Sequence, residues 1–193
     1  MIFWWLKLKN KKMSFVEKNL NTVNWFNFPK FYEMVSKKNY TDFVEVGVWK
    51  GHSLVYLGKL LNNKKVNISA VDLWDETYKY ESGRFSEHKK HVLEIFRTNV
   101  KKANLNNVIK EIKELSWEGS KHFEDSSVDF VFIDADHSYD SVVKDINSWL
   151  PKIRKGGMIS GHDYFNPCGV KKAVDKRFGK KVKTYNNCWY VEL

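Results

Sequence analysis

The sequence predicts an α/β fold in which a seven-stranded, mostly parallel sheet is covered by helices and ends in an antiparallel C-terminal hairpin. Three observations predict this fold. Strand-like apolar runs alternate with helix-like segments along most of the chain. The run 128–133 is nearly all apolar, as a central strand that is buried on both faces should be. Near the C-terminus, Asn186 and Asn187 separate two short strand-like runs, and asparagine tolerates the positive φ of a tight hairpin turn.

The predicted elements follow one another without a repeat or a Pro/Gly-rich linker. A helical lead-in is predicted over 29–38, with Pro29 suited to its first turn. The parallel strands are predicted over 42–46, 66–72, 108–112, 128–134 and 157–161, and the hairpin strands over 181–185 and 188–192. The intervening and following helices are predicted over 53–61, 87–103, 117–124, 139–150 and 170–178. Residues 1–40 are interpreted as an N-terminal helical extension, and residues 41–193 as the one domain.

Composition limits the classes of partner. The net charge is +10, but only four of the 33 basic residues are arginine, and scattered lysine produces a diffuse field. This disfavours a nucleic-acid partner. Cys168 and Cys188 lack metal-type spacing, so a reduced, cytoplasmic location is expected. The apolar segment 1–8 is far shorter than the roughly 20 residues that cross a bilayer, so no transmembrane segment is predicted.

A glycine turn follows the first predicted strand. The strand contains Glu45, Gly47 and Gly51 follow it, and a helix begins near Ser53. Glycine lets the backbone pass close to a ligand, and the first amides of a helix offer free donors. The acid suits a cationic or polyhydroxyl ligand better than a pyrophosphate. Taken alone, the pattern equally describes an ordinary tight turn between a strand and a helix.

Further candidates lie at the carboxyl ends of the second and third strands, where ligands of open α/β sheets bind. Asp72 follows Glu45 by 27 residues, a position from which an acid can accept both hydroxyls of a ribose. The alternative is that Asp72 is a cap or turn residue. Trp74 and Trp117 lie where an adenine could stack, or they belong to the core. Ser116 is also placed to cap the helix that follows it.

The densest group of candidates follows the fourth and fifth strands: Asp134, Asp136, His137, His162 and Asp163. Oxygen and imidazole ligands at two adjacent strand ends can bind a divalent cation, while a nearby His or Asp takes a proton from a hydroxyl. Alternatively, Asp136 or His137 caps the next helix, and His162 and Asp163 order a loop. The group as a whole favours function, because crowded acids repel one another without a counter-charge.

The stretch FIDADHSYDSVVKDINSWLPKIRKGGMISGHDY, residues 132–164, resembles the small-molecule O-methyltransferase branch of the class I S-adenosylmethionine-dependent methyltransferases, which have a Rossmann-like fold. The resemblance extends from about residue 42 to the C-terminus. It implies that S-adenosylmethionine is bound by Glu45, Gly47, Gly51, Ser53, Asp72, Leu73, Ser116, Trp117 and Asp134. It also implies that Asp134 and Asp163 bind Mg²⁺ and that His137 is the candidate base, so that these three residues are catalytic.

Two departures from the family pattern stand out. Trp49 occupies a position where many relatives carry glycine, and Tyr164 follows the second metal-binding Asp where catechol-type relatives carry Asn. The second departure leaves a metal-free, histidine-based proton transfer open.

The expected function is therefore that of a methyltransferase enzyme acting on a hydroxyl of a small molecule. The long polar and aromatic segment 75–88 is expected to act as a lid. Two alternatives stay open, a nucleic-acid methyltransferase and a non-catalytic cofactor-binding module, and so does a homo-oligomer. A nicotinamide oxidoreductase is disfavoured because the chain lacks a Gly-x-Gly-x-x-Gly motif in the first turn.

Overall fold

The computed structural model describes residues 26–62, 64–75 and 91–193. The helices in these ranges are α1 (Pro29–Val35), α2 (His52–Leu60), α3 (Val92–Lys102), α4 (Ser116–Gly119), α5 (Tyr139–Trp149) and α6 (Val170–Phe178). The strands are β1 (Asp42–Val46), β2 (Asn67–Asp72), β3 (Ile109–Lys113), β4 (Val128–Ile133), β5 (Ile153–Gly161), β6 (Lys183–Tyr185) and β7 (Cys188–Glu192). The first 25 residues, and all of the predicted lid except Asp75, lie outside the described residues.

The seven strands form one sheet in the order β3-β2-β1-β4-β5-β7-β6. The first five strands are parallel, whereas β7 is antiparallel to both β5 and β6. The predicted mixed sheet with a C-terminal hairpin is therefore confirmed. Asn186 adopts a positive φ of 51° in the hairpin turn, as the sequence predicts.

The register of the sheet determines which loops meet. The strand order reverses between β1 and β4, and the ends of these strands pair through Val46 and Ile133. Ile133 also pairs with Gly161 at the end of β5. The loops that follow β1, β4 and β5 therefore emerge side by side at one edge of the sheet, which is where an open α/β sheet binds its ligands.

The core lies on both faces of the sheet in two apolar clusters. The lead-in helix is part of the first cluster, because Phe31, Tyr32 and Val35 are fully buried against the sheet. The division at residue 40 stays a prediction, although the described part of the lead-in packs as core. No helix in the described ranges combines the length and apolar character that crossing a bilayer requires.

Several predicted boundaries shift in the structure: α1 ends at Val35 rather than at residue 38, and β6 begins at Lys183 rather than at residue 181. β5 begins at Ile153 rather than at Gly157, because Ile153 pairs with Val128 and a bulge between Val128 and Phe130 absorbs the extra residues. The helix predicted over 117–124 is shorter: α4 ends at Gly119 and a 3₁₀ turn continues to His122. The following residue, Phe123, is extended and packs against Trp149, which ends the helical stretch.

Candidate active site at the carboxyl ends of the strands

Gly47 begins the turn after β1 in a conformation that only glycine adopts without strain. Its φ is +83°, and its amide donates to the Val71 carbonyl at 2.9 Å. A Cβ on this residue would lie 2.6 Å from the Cα of Ala135 and closer still to the Asp134 carbonyl. Gly47 is therefore required because the backbone after β4 passes directly over it, which brings Asp134 against the first turn.

The rest of the turn keeps a glycine-like path although it contains a tryptophan. Trp49 has a φ of +54°, the left-handed conformation that a glycine would adopt there, and its half-buried ring packs against the core. Gly51 has a φ of +77°, and a Cβ on it would lie 2.6 Å from the ring of Phe96. From α3, the buried Asn99 donates to the Lys50 carbonyl at 2.9 Å, a contact that the sequence analysis missed. Packing against α3 thus explains Gly51.

Asp72 binds the backbone of this turn. Its Oδ2 accepts hydrogen bonds from the amides of Val48 at 2.9 Å and Trp49 at 2.8 Å, and its Oδ1 accepts one from Trp74 at 2.8 Å. Burial raises the pKa of Asp72, although the hydrogen bonds from these amides and from the amide of the half-buried Leu73 act to lower it. These contacts match the alternative prediction, in which Asp72 orders a turn. A ribose bound to Asp72 would have to share its carboxylate with the three amides.

We predict that Asp72→Ala destabilises the chain as well as weakening cofactor binding. The substitution leaves three amides without their acceptor, and each lost bond to a charged group costs about 1.5–3 kcal/mol. Asp125→Ala, which breaks an exposed pair with Lys152, is the control, and it should change the free energy of unfolding by less than about 1 kcal/mol. Chemical denaturation of both variants measures this difference. A fully stable Asp72→Ala chain with weakened cofactor affinity would assign Asp72 to the ligand alone.

Glu45 is buried beneath the turn and fully engaged. Its Oε2 accepts a hydrogen bond from the Tyr32 hydroxyl at 2.6 Å, and its Oε1 accepts one from the Ser53 hydroxyl. Burial, together with the negative charges of Asp134 and Asp72, raises the pKa of Glu45 to about 8 against the opposing effect of the two hydroxyls. Tyr32 was not predicted as a site residue, because its distance of 13 positions from Glu45 follows no motif.

Ser116 and Trp117 lie after β3, where the sequence analysis expects the adenine. The Ser116 hydroxyl donates to Asp145 at 2.5 Å, and its carbonyl accepts from the indole of Trp149 at 2.9 Å. Trp117 is half-buried, with the ammonium of Lys144 4.0 Å from its ring centroid. Trp74 is buried, donates to the Trp49 carbonyl and packs against Phe96, so it serves the core.

We predict that Asp145 lowers stability as the pH rises. Burial raises the pKa of this fully buried carboxyl to about 7, from 3.8 in a free chain. Between pH 4 and pH 7 the folded chain keeps a proton that the unfolded chain loses, so the stabilisation present below pH 4 is lost as the pH approaches 7. Relative to Asp145→Asn, the wild type should lose roughly 2–4 kcal/mol across this range.

Urea denaturation at several pH values measures this loss. Asp140→Asn, a substitution of an exposed carboxyl on the same helix, is the control. A constant difference in stability between the wild type and Asp145→Asn from pH 4 to pH 7 would contradict the assignment.

The structure brings together four of the five candidates that follow β4 and β5. His137 Nε2 lies 3.3 Å from Asp134 Oδ1 and 3.2 Å from Asp163 Oδ2. His162 Nδ1 lies 3.2 Å from Asp163 Oδ1. One ligand atom from each of Asp134, His162 and Asp163 falls within 4.8 Å of the other two, which is close enough for a single metal ion. The fifth candidate, Asp136, accepts a hydrogen bond from the Ser138 amide at 2.7 Å and orders the start of α5.

The counter-charge that the crowded acids require comes from the two histidines. Burial alone would lower the pKa of His137, but its contacts with Asp134 and Asp163 outweigh burial and raise it. The pKa of His162 is raised in the same way, mainly by Asp163. Conversely, the histidines hold the pKa of Asp163 below its ordinary value although burial opposes this.

Three asparagines that the sequence analysis missed support this cluster. Asn166 and Asn187 both donate to Asp163 Oδ1, the latter at 3.3 Å across 24 positions. Asn27 Oδ1 lies 3.1 Å from His162 Nε2 across 135 positions. Asp163 itself has a positive φ of 59°. The hydroxyl of the adjacent Tyr164 turns away from the cluster and donates to Asp175 on α6.

A family model described as a methyltransferase domain matches residues 44–164, which is more than half of the chain. The chain belongs to this methyltransferase family. The match begins in β1 and ends directly after Asp163, so it includes the glycine turn and the whole acid–histidine cluster. The resemblance to class I methyltransferases and the expectation of a methyltransferase are thereby confirmed at the level of the family.

Solved structures of methyltransferases share the fold. The O-methyltransferase NovP superposes with a TM-score of 0.64 at 17% identity, covering 86% of this chain and 77% of its own. An O-methyltransferase from Bacillus cereus in complex with SAH superposes with a TM-score of 0.60 at 16% identity, covering 97% and 89%. An uncharacterized protein of Acanthamoeba polyphaga mimivirus is 28% identical over 134 residues, which is 66% of this chain. The chain spans about half the length of that curated relative.

Proposed function

We propose that the chain transfers a methyl group from S-adenosylmethionine to a hydroxyl oxygen of a small molecule. The single observation that carries this proposal is a set of three acids beside the glycine turn, of which Glu45 is buried and the other two are half-buried. Glu45, Asp72 and Asp134 end three neighbouring strands, and the charges of Asp72 and Asp134 raise the pKa of Glu45. A ligand that brings positive charge to this place relieves the repulsion, and the sulfonium and ammonium groups of S-adenosylmethionine are cations.

S-adenosylmethionine supplies an electrophilic methyl group, whose in-line transfer to oxygen requires alignment and loss of the hydroxyl proton. Gly47 leaves room for the backbone after β4, which brings Asp134 of the cluster against the glycine turn. Asp134 and Asp163 both contact Nε2 of His137, which favours a proton on that nitrogen, so we propose that the other ring nitrogen, Nδ1, receives the proton of the acceptor hydroxyl. The carboxylates of Asp134 and Asp163 could also hold a divalent ion, Mg²⁺ being the one that the family resemblance implies, and such an ion would lower the pKa of a bound hydroxyl.

Several solved relatives support a small hydroxylated acceptor, because NovP and the protein from Bacillus cereus are described as O-methyltransferases. We propose the same class of acceptor here. We also propose a cytoplasmic location, since both cysteines are free thiols.

Calorimetry with S-adenosylmethionine and with NAD tests the cofactor, and we expect binding of the former alone. Turnover against a panel of phenols, sugars and other alcohols, in EDTA and in added Mg²⁺, tests the reaction. Release of S-adenosylhomocysteine with one or more acceptors supports the proposal. Cofactor binding without turnover on any acceptor would instead support a non-catalytic binding module.

A second candidate, methylation of nucleic acid, rests on the basic C-terminal region. Exposed cations in and after α6 are Lys172, Lys176, Arg177, Lys180 and Lys181. A structure described as a putative rRNA methylase from Clostridium thermocellum shares the fold, with a TM-score of 0.62 at 14% identity. Anisotropy titrations with RNA across a salt series discriminate the two candidates, because phosphate contacts weaken steeply with salt. Methyl transfer to RNA would displace the small-molecule proposal.

A further inference from the structure

We propose that His162 is the third protein ligand of the metal ion, and that the site therefore selects a transition-metal ion such as Mn²⁺ or Fe²⁺ over Mg²⁺. The inference rests on the proposed metal-assisted function for the use of the ion, but its test measures ion binding alone. The family resemblance implies only Asp134 and Asp163 as metal ligands, and the inference adds one specific nitrogen ligand to them.

The imidazole of His162 lies close enough to the two carboxylates to share an ion with them. One ligand atom from each of Asp134, His162 and Asp163 lies within 4.8 Å of the others, so a single ion can contact all three. Asp134 follows β4, whereas His162 and Asp163 follow β5, and the ends of these strands are paired in register. The three donors thus come from two rigid neighbouring strands, which limits how far the group can spread.

The His162 ring is held in one orientation by Phe28 and Asn27. His162 is only 8% exposed, and its ring packs against Phe28 with the ring centroids 4.8 Å apart. Its Nε2 lies 3.1 Å from Asn27 Oδ1, an acceptor for the Nε2 proton. A neutral imidazole that donates from Nε2 carries its lone pair on Nδ1. This is the arrangement of a metal-binding histidine, whose second nitrogen is normally held by a hydrogen bond.

Nδ1 of His162 lies 3.2 Å from Asp163 Oδ1, so the two atoms face each other directly. A lone pair facing a carboxylate oxygen is repulsive unless a positive charge lies between them. A divalent ion bound between the two atoms would supply this charge. Asn166 and Asn187 hold Asp163 in place through Oδ1, in the manner of outer-shell partners of a metal site.

The chemistry of the donors then determines the ion. Mg²⁺ takes oxygen ligands almost exclusively, whereas imidazole suits transition ions such as Fe²⁺ and Zn²⁺. One imidazole with two carboxylates is a mixed nitrogen–oxygen set that Mn²⁺ and Fe²⁺ accept. His137 is a weaker candidate for this ligand because its side chain is 37% exposed and its Nε2 contacts both carboxylates directly.

The test uses the full chain after removal of metal by EDTA and without cofactor. Mn²⁺ binding is followed by the electron paramagnetic resonance signal of the free ion, and Mg²⁺ is added as competitor. We expect Mn²⁺ to bind at least about tenfold more tightly than Mg²⁺. The electron spin echo of bound Mn²⁺ should show modulation from a directly bound ¹⁴N, which a merely structural histidine does not produce.

Three variants assign the nitrogen. His162→Asp should abolish the ¹⁴N modulation and reduce the ratio of the Mn²⁺ affinity to the Mg²⁺ affinity. His137→Gln should keep the modulation. His122→Gln, at an exposed site outside the cluster, is the control for general effects. Should His162→Asp fail to fold by circular dichroism, Asn27→Leu removes only the acceptor for Nε2 and should weaken Mn²⁺ binding about tenfold.

Equal affinities for Mn²⁺ and Mg²⁺, absence of Mn²⁺ binding, or ¹⁴N modulation that survives in His162→Asp would each overturn the inference. These outcomes are independent of the proposed methyl transfer, because S-adenosylmethionine affinity and turnover are measured separately. A chain that binds Mn²⁺ through nitrogen but never binds the cofactor would support the metal site and contradict the proposed function.

Discussion

Gly47→Ala is expected to abolish binding of S-adenosylmethionine and to lower the melting temperature by about 10 °C or more. A left-handed φ costs a non-glycine residue about 1–2 kcal/mol. The larger cost is steric, because the new Cβ would lie 2.6 Å from the Cα of Ala135 and nearer still to the Asp134 carbonyl. Backbone cannot rotate away as a side chain can, so the loop after β4 must move. A loss of roughly 3 kcal/mol or more corresponds to the stated change in melting temperature.

Gly156→Ala is a matched control for this substitution. Gly156 has the same φ of +83°, but a Cβ on it would meet nothing within 4 Å. It should therefore cost only the conformational term, or about 2–6 °C, and leave cofactor affinity unchanged. Differential scanning fluorimetry and calorimetry on both variants separate backbone strain from the clash. Equal effects of the two substitutions would show that the contact between Gly47 and the Asp134 loop is unimportant.

Asp163→Asn is expected to reduce turnover by roughly 10²–10⁴-fold while leaving S-adenosylmethionine affinity nearly unchanged. The substitution removes the negative charge that faces His137 Nε2 at 3.2 Å and His162 Nδ1 at 3.2 Å. It also removes one carboxylate of the proposed metal site. Asparagine is preferred to alanine because Asp163 has a φ of 59°, which asparagine tolerates. Activity and affinity therefore report on the lost charge rather than on a rearranged backbone.

Single-turnover rates and calorimetry measure the two quantities for this variant. Asp125→Asn, at an exposed site outside the cluster, removes a carboxylate that pairs with Lys152 and should keep full turnover. Turnover of Asp163→Asn within threefold of the wild type would remove Asp163 from the reaction. A parallel loss of cofactor affinity would instead place Asp163 in the cofactor site.

The sequence predicted which residues meet because each candidate was tied to a strand end. In a parallel sheet, all carboxyl ends lie at one edge, so identifying β1, β4 and β5 was enough to bring Gly47, Asp134 and Asp163 together. The prediction was less informative for Asp72. A strand end specifies where a carboxylate lies, but it does not specify whether backbone amides or a ligand occupy its oxygens.

The partners that hold the site were absent from any local pattern. Asn27 reaches His162 and Tyr32 reaches Glu45 only because α1 and the residues just before it pack across β1 and β4. Asn187 reaches Asp163 because β7 reverses and pairs with β5, which returns the hairpin turn to the site. None of these three contacts follows a sequence spacing that is typical of a known motif.

The amino-acid sequence by itself determined the alternation of strands and helices, the reversed C-terminal hairpin and the family. These properties depend on hydrophobic periodicity, turn residues and short motifs, all of which act between neighbours in the chain. Only the tertiary structure decided that amides occupy Asp72, that the histidines neutralise the acid cluster and that Asn27 orients His162. Hydrogen bonds and charges act between atoms a few ångströms apart, and only the packing of α1, β5 and β7 brings those atoms together.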